Sequence, residues 1–211
     1  MPPCQKGRRL LQKSSPLMLA SHNPGKLSEF QFLLRDLAMT LVAYPERGEI
    51  VAETGTTYQE NAALKAHAVA RTQGVYALAD DSGVEVDALD GAPGVHSARF
   101  VSDDPWTNTR EILVRLMDVP WEKRTARMRS VLCLASPDGQ EWFFEGVLEG
   151  YILGWPRGNN GFGVDPVFSV DGSSSLAELP PDEKNRISHR ALAAMRFGQF
   201  WSGARDEISR L

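Results

Sequence analysis

Read from its amino end, the chain first shows a clear hydrophobic block at Leu17-Met18-Leu19-Ala20, which predicts a short buried strand. The turn residues Ser21-His22-Asn23-Pro24-Gly25 follow, and then a helical pattern marked by Leu27, Phe30, Leu33, Leu34 and Leu37. A second strand is predicted over Thr40 to Tyr44. A helix running to about Thr72 is announced by Thr57 and Glu60 at capping-box spacing. On that helix Asn61 and Lys65 stand four apart and share one face, while Ala62, Ala66, Ala68 and Ala70 permit close packing.

The stretch Val75 to Ala79 predicts a central strand, and Val84 to Leu89 alternates with period two, so Asp80-Asp81-Ser82-Gly83 is expected as an acidic turn between two strands. A helix is expected from Pro105 to Met117, with Pro120 beyond it. Residues 127–136 and 140–155 read as a hairpin joined at Pro137-Asp138-Gly139. The segment Arg157 to Gly163 reads as a loop, Val167 to Val170 as a strand, and Ser188 as the cap of a last helix through about Phe200. Alternating strands and helices followed by a hairpin imply an α/β domain, a mixed, twisted sheet with flanking helices.

Composition narrows this picture. The 211 residues are 42% hydrophobic and 24% charged, in the range of a single globular domain. Residues 1–16 are polar and basic without periodicity and read as an N-terminal tail ahead of a domain over 17–211. No apolar run of membrane-spanning length and no signal-like segment is visible, so a cytoplasmic location is expected. Cys4 and Cys133 alone suggest neither a disulfide framework nor a cysteine zinc site. A formal net charge of −4 argues against broad nucleic-acid binding and leaves a small anionic ligand, held by local lysines or a bridging cation.

Candidate chemistry concentrates in four places. Adjacent carboxylates Asp80 and Asp81 at a strand end suit a turn, or a site where one of them, Asp81 by preference, holds Mg²⁺ or orients water. Ser21, His22, Asn23, Pro24, Gly25 and Lys26 open a helix, where backbone N–H groups and the helix dipole can meet phosphate; a plain strand-turn-helix explains them too. Phe162, Gly163, Val164 and Asp165 form a loop able to set a ring against a base or to turn tightly. Ser188-His189-Arg190 fits a cap and a salt bridge, or a hydrogen-bond donor set for a purine carbonyl.

These segments occur in a fixed order, LASHNPGKLSEF, ETGTTYQENAALKA, ADDSGVEVDALDGAPGVHSARF, GFGVDPVF and AELPPDEKNRISHRALA, and together they resemble the inosine triphosphate pyrophosphatase-like family from about residue 17 to 200. The resemblance implies Mg²⁺-dependent hydrolysis of ITP, dITP or XTP to the monophosphate and pyrophosphate, by a homodimer of elongated subunits with a central cleft. It implies Ser21 to Lys26 and Lys65 at the phosphates, Glu53 and Asp81 at the metal, and Asp81 as proton acceptor. Ser82 would touch substrate, and Asp80 would support the acidic segment. Phe162 to Asp165, Lys184, His189 and Arg190 would read the base, with Arg99 near the phosphates. The chain departs from the family pattern at Val164, where an aromatic is common, and at Ser21-His22, where Thr-Gly is common. An aromatic face lost at residue 164 is worth about 1–3 kcal/mol of stacking. Two alternatives stand beside this reading: a pyrophosphatase for another modified nucleotide, and a nucleotide-binding module that does not hydrolyse.

Overall fold

The computed structural model describes residues 16–45, 47–48 and 51–208, with side chains to residue 203. The tail expected over residues 1–16 falls, all but its last residue, outside this range. Six strands form one sheet in the order β2-β1-β3-β4-β5-β6. They are β1 (Leu17–Leu19), β2 (Leu41–Ala43), β3 (Tyr76–Val86), β4 (Thr125–Ala135), β5 (Glu141–Ile152) and β6 (Phe168–Ser169). β1 runs parallel to β2 and β3, and the remaining pairs are antiparallel, so the sheet is mixed as expected.

The helices are α1 (Pro24–Leu33), α2 (Tyr58–Gln73), α3 (Pro105–Arg115), α4 (Pro181–Ile187) and α5 (His189–Ile208). Their starts follow local chemistry. Asn23 caps α1 with Pro24 in the first turn, Thr57 and Glu60 complete a reciprocal capping box on α2, and Asp104 caps α3 ahead of Pro105. α1 stops at Leu33, short of the predicted Leu37. A tighter turn there, Leu37 N–H to Leu34 carbonyl at 3.0 Å, still brings Leu34 and Leu37 onto the core. The expected last helix is preceded by a separate α4. Ser188 ends α4 and its Oγ accepts the amide of Ala191 at 3.1 Å in the first turn of α5.

The acidic turn does not exist. Asp80 to Gly83 lie inside one continuous eleven-residue strand, β3, paired with β4 from Ala77 to Val86. Asp, Ser and Gly are turn formers when the chain is free to turn, but here the ladder to β4 supplies their backbone partners. Because successive strand residues face opposite sides, Asp80 and Asp81 are sent to opposite faces of the sheet.

On one face, α1 and α5 cover Leu17, Leu19, Leu78, Leu132, Leu134 and Phe144 with Phe30, Leu34 and Phe197. On the other, the alanines of α2 pack on Ala77, Ala79, Val131, Cys133 and Ala135. A third cluster joins Ile112 and Leu116, from α3 and the residue after it, to Val84, Val86, Met128 and Phe168. Cys133 is a free, buried thiol. Among the described residues, no helix is long and apolar enough to cross a membrane.

Two glycines permit backbone-to-backbone contact. A side chain at Gly83 would collide with the carbonyl of Gly94 and lie 2.9 Å from the Tyr58 hydroxyl. One at Gly146 in β5 would collide with the carbonyl of His189 and the amide of Ala193 in the first turns of α5. Gly146 therefore sets how close the start of α5 comes to the sheet. Gly146→Ala is expected to destabilise the protein by about 1–3 kcal/mol, which urea unfolding checks.

Candidate active site

β1 ends at Leu19, and its parallel pairing with β3 reaches only Leu78, whose carbonyl accepts the amide of Ala20 at 2.8 Å. Beyond that point the β1-facing edge of β3 is open. The next carbonyl on that edge, Asp80, accepts from Lys65 Nζ at 2.9 Å and from Lys26 Nζ at 3.3 Å. Further along, Val84 N–H donates to Ser97 Oγ at 2.9 Å and Val86 N–H to the Ala92 carbonyl at 3.2 Å. A cleft thus opens past the carboxyl end of a parallel strand, where open α/β sheets bind ligands.

Asp80 faces α1 and α5. Its side chain is fully buried and receives Lys26 Nζ at 2.8 Å, Arg190 Nε at 3.3 Å, Ser82 Oγ at 3.1 Å and Ser130 Oγ at 2.6 Å. Burial alone would raise its pKa, but Lys26 and Arg190 outweigh that and hold it far below the ordinary carboxylate value. The network continues outward. Arg190 Nη1 reaches Glu29 at 3.1 Å, Lys184 Nζ bridges Glu29 at 2.7 Å and Asp165 at 2.6 Å, and Asp165 accepts the Phe162 amide at 2.8 Å. Lys26, Arg190 and Lys184 against Asp80, Glu29 and Asp165 make a charge-neutral chain.

Asp81 faces α2. Lys65 Nζ lies 2.9 Å from its Oδ1, and Asn61 Nδ2 lies 3.4 Å from Oδ2. The same ammonium is 2.6 Å from Glu53 Oε1, while Arg99 Nη1 is 2.5 Å from Glu53 Oε2 and Arg99 Nη2 is 3.0 Å from the Glu53 carbonyl. Burial raises the pKa of Asp81, and Lys65 offsets this only in part. Glu53 goes the other way: burial would raise it, but Lys65 and Arg99 bring it down to about 2. Two neighbouring acids are thereby set apart, one inclined to take a proton and one firmly anionic.

Two cavities meet here, sharing Asn23, Lys26 and Ala98 on their walls. The larger, about 600 Å³, is lined by Ser21, His22, Glu53, Lys65 and Arg99 among others. The second, about 310 Å³, is lined by Ser82, Phe162, Gly163, Val164, Asp165, His189 and Arg190, together with Thr109, Ile112 and Met128. The sequence-predicted residues therefore divide between two compartments. Four do not line either: Pro24 and Gly25 build the first turn of α1, Lys184 stands behind Asp165, and Asp81, its side chain 6% exposed, stands behind Lys65.

The loop before α1 differs from expectation in one respect. The amides of Gly25 and Lys26 are not free for phosphate, since Asn23 Oδ1 accepts both, at 2.9 and 3.2 Å, and Ser21 Oγ accepts the Asn23 amide at 3.2 Å. The cap that starts the helix uses them, so Lys26 contributes through its ammonium. His22 contacts the Pro45 carbonyl through Nε2 at 3.1 Å and its ring lies 5.1 Å from that of Tyr44, which makes it a wall of the larger cavity.

In the smaller cavity, Lys184 Nζ and Arg190 Cζ each lie 5.1 Å from the centroid of Phe162, which steadies the ring by cation–π attraction. Val164 packs against the third core cluster, and its carbonyl accepts the amides of Val167 and Phe168. His189 is buried, and burial together with Arg190 pushes its pKa well down, so the ring is neutral; its Nδ1 has no hydrogen-bond partner among the described residues. An unpaired buried nitrogen on a cavity wall is costly unless a ligand meets it. Glu29 and Ser130 escaped the sequence reading. Glu29 follows Lys26 by three on α1, a spacing that signals a shared face, whereas Ser130 carries no local signal.

A cleft with acids and lysines in one compartment and a neutral histidine and an aromatic ring on the wall of the other has the makings of an α/β enzyme site. The chain belongs to the Ham1 family, whose pattern matches residues 17–200. It is 46% identical over 180 residues to a dITP/XTP pyrophosphatase of Symbiobacterium thermophilum, covering 85% of this chain and 91% of that protein. The dITP/XTP pyrophosphatase of Bacillus subtilis is 43% identical over 187 residues, covering 86% and 94%. Among solved structures, a HAM1 protein from Coxiella burnetii superposes with a TM-score of 0.81 at 38% identity, covering 90% of this chain and 99% of that one.

The Asp80 network yields a stability prediction. Asp80→Asn leaves Lys26 without its buried counter-charge and Arg190 with Glu29 alone, and is expected to cost about 3–5 kcal/mol near neutral pH. Because the folded pKa of Asp80 is lowered, its contribution is complete above the ordinary value of 3.8 and is lost progressively as pH falls below it. Urea midpoints of wild type and variant should therefore converge in acid.

Proposed function

We infer that this protein is a dITP/XTP pyrophosphatase: it hydrolyses ITP, dITP and XTP to the nucleoside monophosphate and pyrophosphate. The observation that carries the reading is the meeting of the two compartments at Lys26 and Asn23, one holding Glu53 and Lys65 with Asp81 just behind, the other the unpartnered Nδ1 of His189. A triphosphate in the first compartment and a base in the second fit that division.

Mg²⁺ suits the donor set, since Glu53 and Asp81 offer hard oxygens that already converge on a single cation, the ammonium of Lys65. These two carboxylates would hold it, and when bound it supplies charge neutralisation on the phosphate oxygens. Asp81 accepts the proton of a water directed at the α-phosphorus. Lys26 and Lys65 meet the negative charge that gathers on the departing pyrophosphate. No covalent intermediate is required.

Selection against adenine follows from His189. As the Nδ1–H tautomer it donates to the 6-oxo group of hypoxanthine or xanthine, while the 6-amino group of adenine would bring donor against donor. A buried polar group left unpaired this way can reject an analogue by up to roughly 10⁴-fold. Phe162 offers its ring to the base, with Asp165 and Lys184 fixing the loop that carries it. The reading includes one catalytic domain beginning at residue 17, a cytoplasmic location and a homodimer, for which light scattering should return twice the 23.3 kDa chain mass.

The test is incubation with ITP, dITP, XTP, ATP, GTP and dUTP in Mg²⁺, with pyrophosphate and orthophosphate measured separately. Pyrophosphate from the first three substrates is expected, with ATP turned over far more slowly. Preference for dUTP would favour a different modified nucleotide, orthophosphate as the immediate product would make the protein a phosphatase, and binding without turnover would make it a regulatory module. Asp81→Asn is expected to lower kcat by about 10²–10⁴-fold with little change in KM; near-normal turnover at saturating Mg²⁺ would remove Asp81 from the mechanism.

A further inference from the structure

The two carboxylates suited to a metal are both occupied by cations of the chain itself. Lys65 Nζ makes contacts to Glu53 Oε1 at 2.6 Å, Asp81 Oδ1 at 2.9 Å and the Asp80 carbonyl at 2.9 Å, which uses all three of its donors. Arg99 takes the other oxygen of Glu53 at 2.5 Å and its backbone carbonyl at 3.0 Å. Glu53 and Asp81 against Lys65 and Arg99 sum to zero charge, so the cluster offers a free dication no net attraction and two cationic neighbours that repel it.

Access tells the same story. Lys65, Arg99 and Glu53 line the larger cavity, but Asp81, its carboxylate against the Lys65 ammonium, does not. Among the described residues, no group of three histidine, cysteine or acidic side chains is spaced to hold a metal. Mg²⁺ requires about six oxygens in a near-octahedral shell, so two carboxylates leave most of it to phosphate oxygens and water. Glu53 sits in a segment without regular structure, Val51 to Gly55, and can therefore shift when its partners do.

We propose that Lys65 and Arg99 are resident placeholder cations that keep the metal position closed until a triphosphate draws them off, so that divalent cation and nucleotide bind as a coupled pair. This rests on the reading of Glu53 and Asp81 as metal carboxylates. The phosphate chain is the only partner in the reaction with enough negative charge to take over both cations at once. Lys65 then serves twice, first as a counter-ion for the acids and afterwards as a phosphate ligand. The coupling is reciprocal: nucleotide tightens metal by the factor that metal tightens nucleotide. The cluster thereby avoids holding metal when no nucleotide is present.

The experiment measures Mn²⁺ binding directly, by electron paramagnetic resonance of free Mn²⁺, with and without a non-hydrolysable α,β-methylene analogue of ITP. In wild type the analogue, corrected for its own affinity for Mn²⁺, should tighten protein-bound metal by roughly tenfold or more. Lys65→Met should bind Mn²⁺ without nucleotide roughly tenfold or more tighter than wild type, and should lose most of the tightening by the analogue. Arg99 is on the surface, so Arg99→Met keeps the test open if Lys65→Met does not fold; it should move Mn²⁺ affinity in the same direction by a smaller factor. Equal Mn²⁺ affinity in wild type with and without analogue, or no gain in a folded variant, overturns the proposal. If pyrophosphate release from ITP persists in that event, the functional reading survives; if release is absent too, both fall.

Discussion

The buried carboxylate of Asp80 is the constraint on which the site depends. It ties the start of α1 through Lys26, the start of α5 through Arg190 and the centre of β4 through Ser130 to the strand that bears it. A lone charge at this depth would be prohibitively costly, and a charge with four donors is not. The same contacts that stabilise it fix the distance between two helices far apart in sequence. Lys26, on the wall of both compartments, and Arg190, on the wall of the smaller one, are therefore positioned by the same buried charge.

The adjacent Asp81 does a different job because a strand alternates. One position along β3 turns the side chain to the α2 face, where its neighbours are Lys65, Asn61 and, through Lys65, Glu53. Asp80 is saturated with cations and its pKa falls, while Asp81 is buried with less compensation and its pKa rises. Two identical side chains in succession thus have their pKa values shifted in opposite directions through environment alone.

The second polar chain, Glu29 to Lys184 to Asp165 to the Phe162 amide, performs the same service for the smaller compartment. Its charges are neutralised in pairs, so the wall it supports can present the neutral His189 and the Phe162 ring rather than a field of unpaired ions. Val164 lines the smaller compartment and packs against the core cluster that holds Ile112 and Met128.

Much of this was readable locally. Thr57 with Glu60, Asn23 with Pro24, the Pro137-Asp138-Gly139 turn and the pairing of Asn61 with Lys65 on one helix face are short-range relations, and each appears where the sequence puts it. The order of the five motifs sufficed for the family. What the sequence could not decide was whether Asp80-Asp81-Ser82-Gly83 turns or extends, because the answer lies in β4, some fifty residues away, whose ladder supplies the backbone partners that a turn would otherwise need. Nor could it reveal that the amides of Gly25 and Lys26 are taken by their own cap, that Glu29 and Ser130 belong to the charge network, or that Lys65 screens Asp81 from the cavity. Periodicity and capping act over a few residues and are written in the chain; the pairing of buried charges acts across the fold, and only packing decides which partner each one meets.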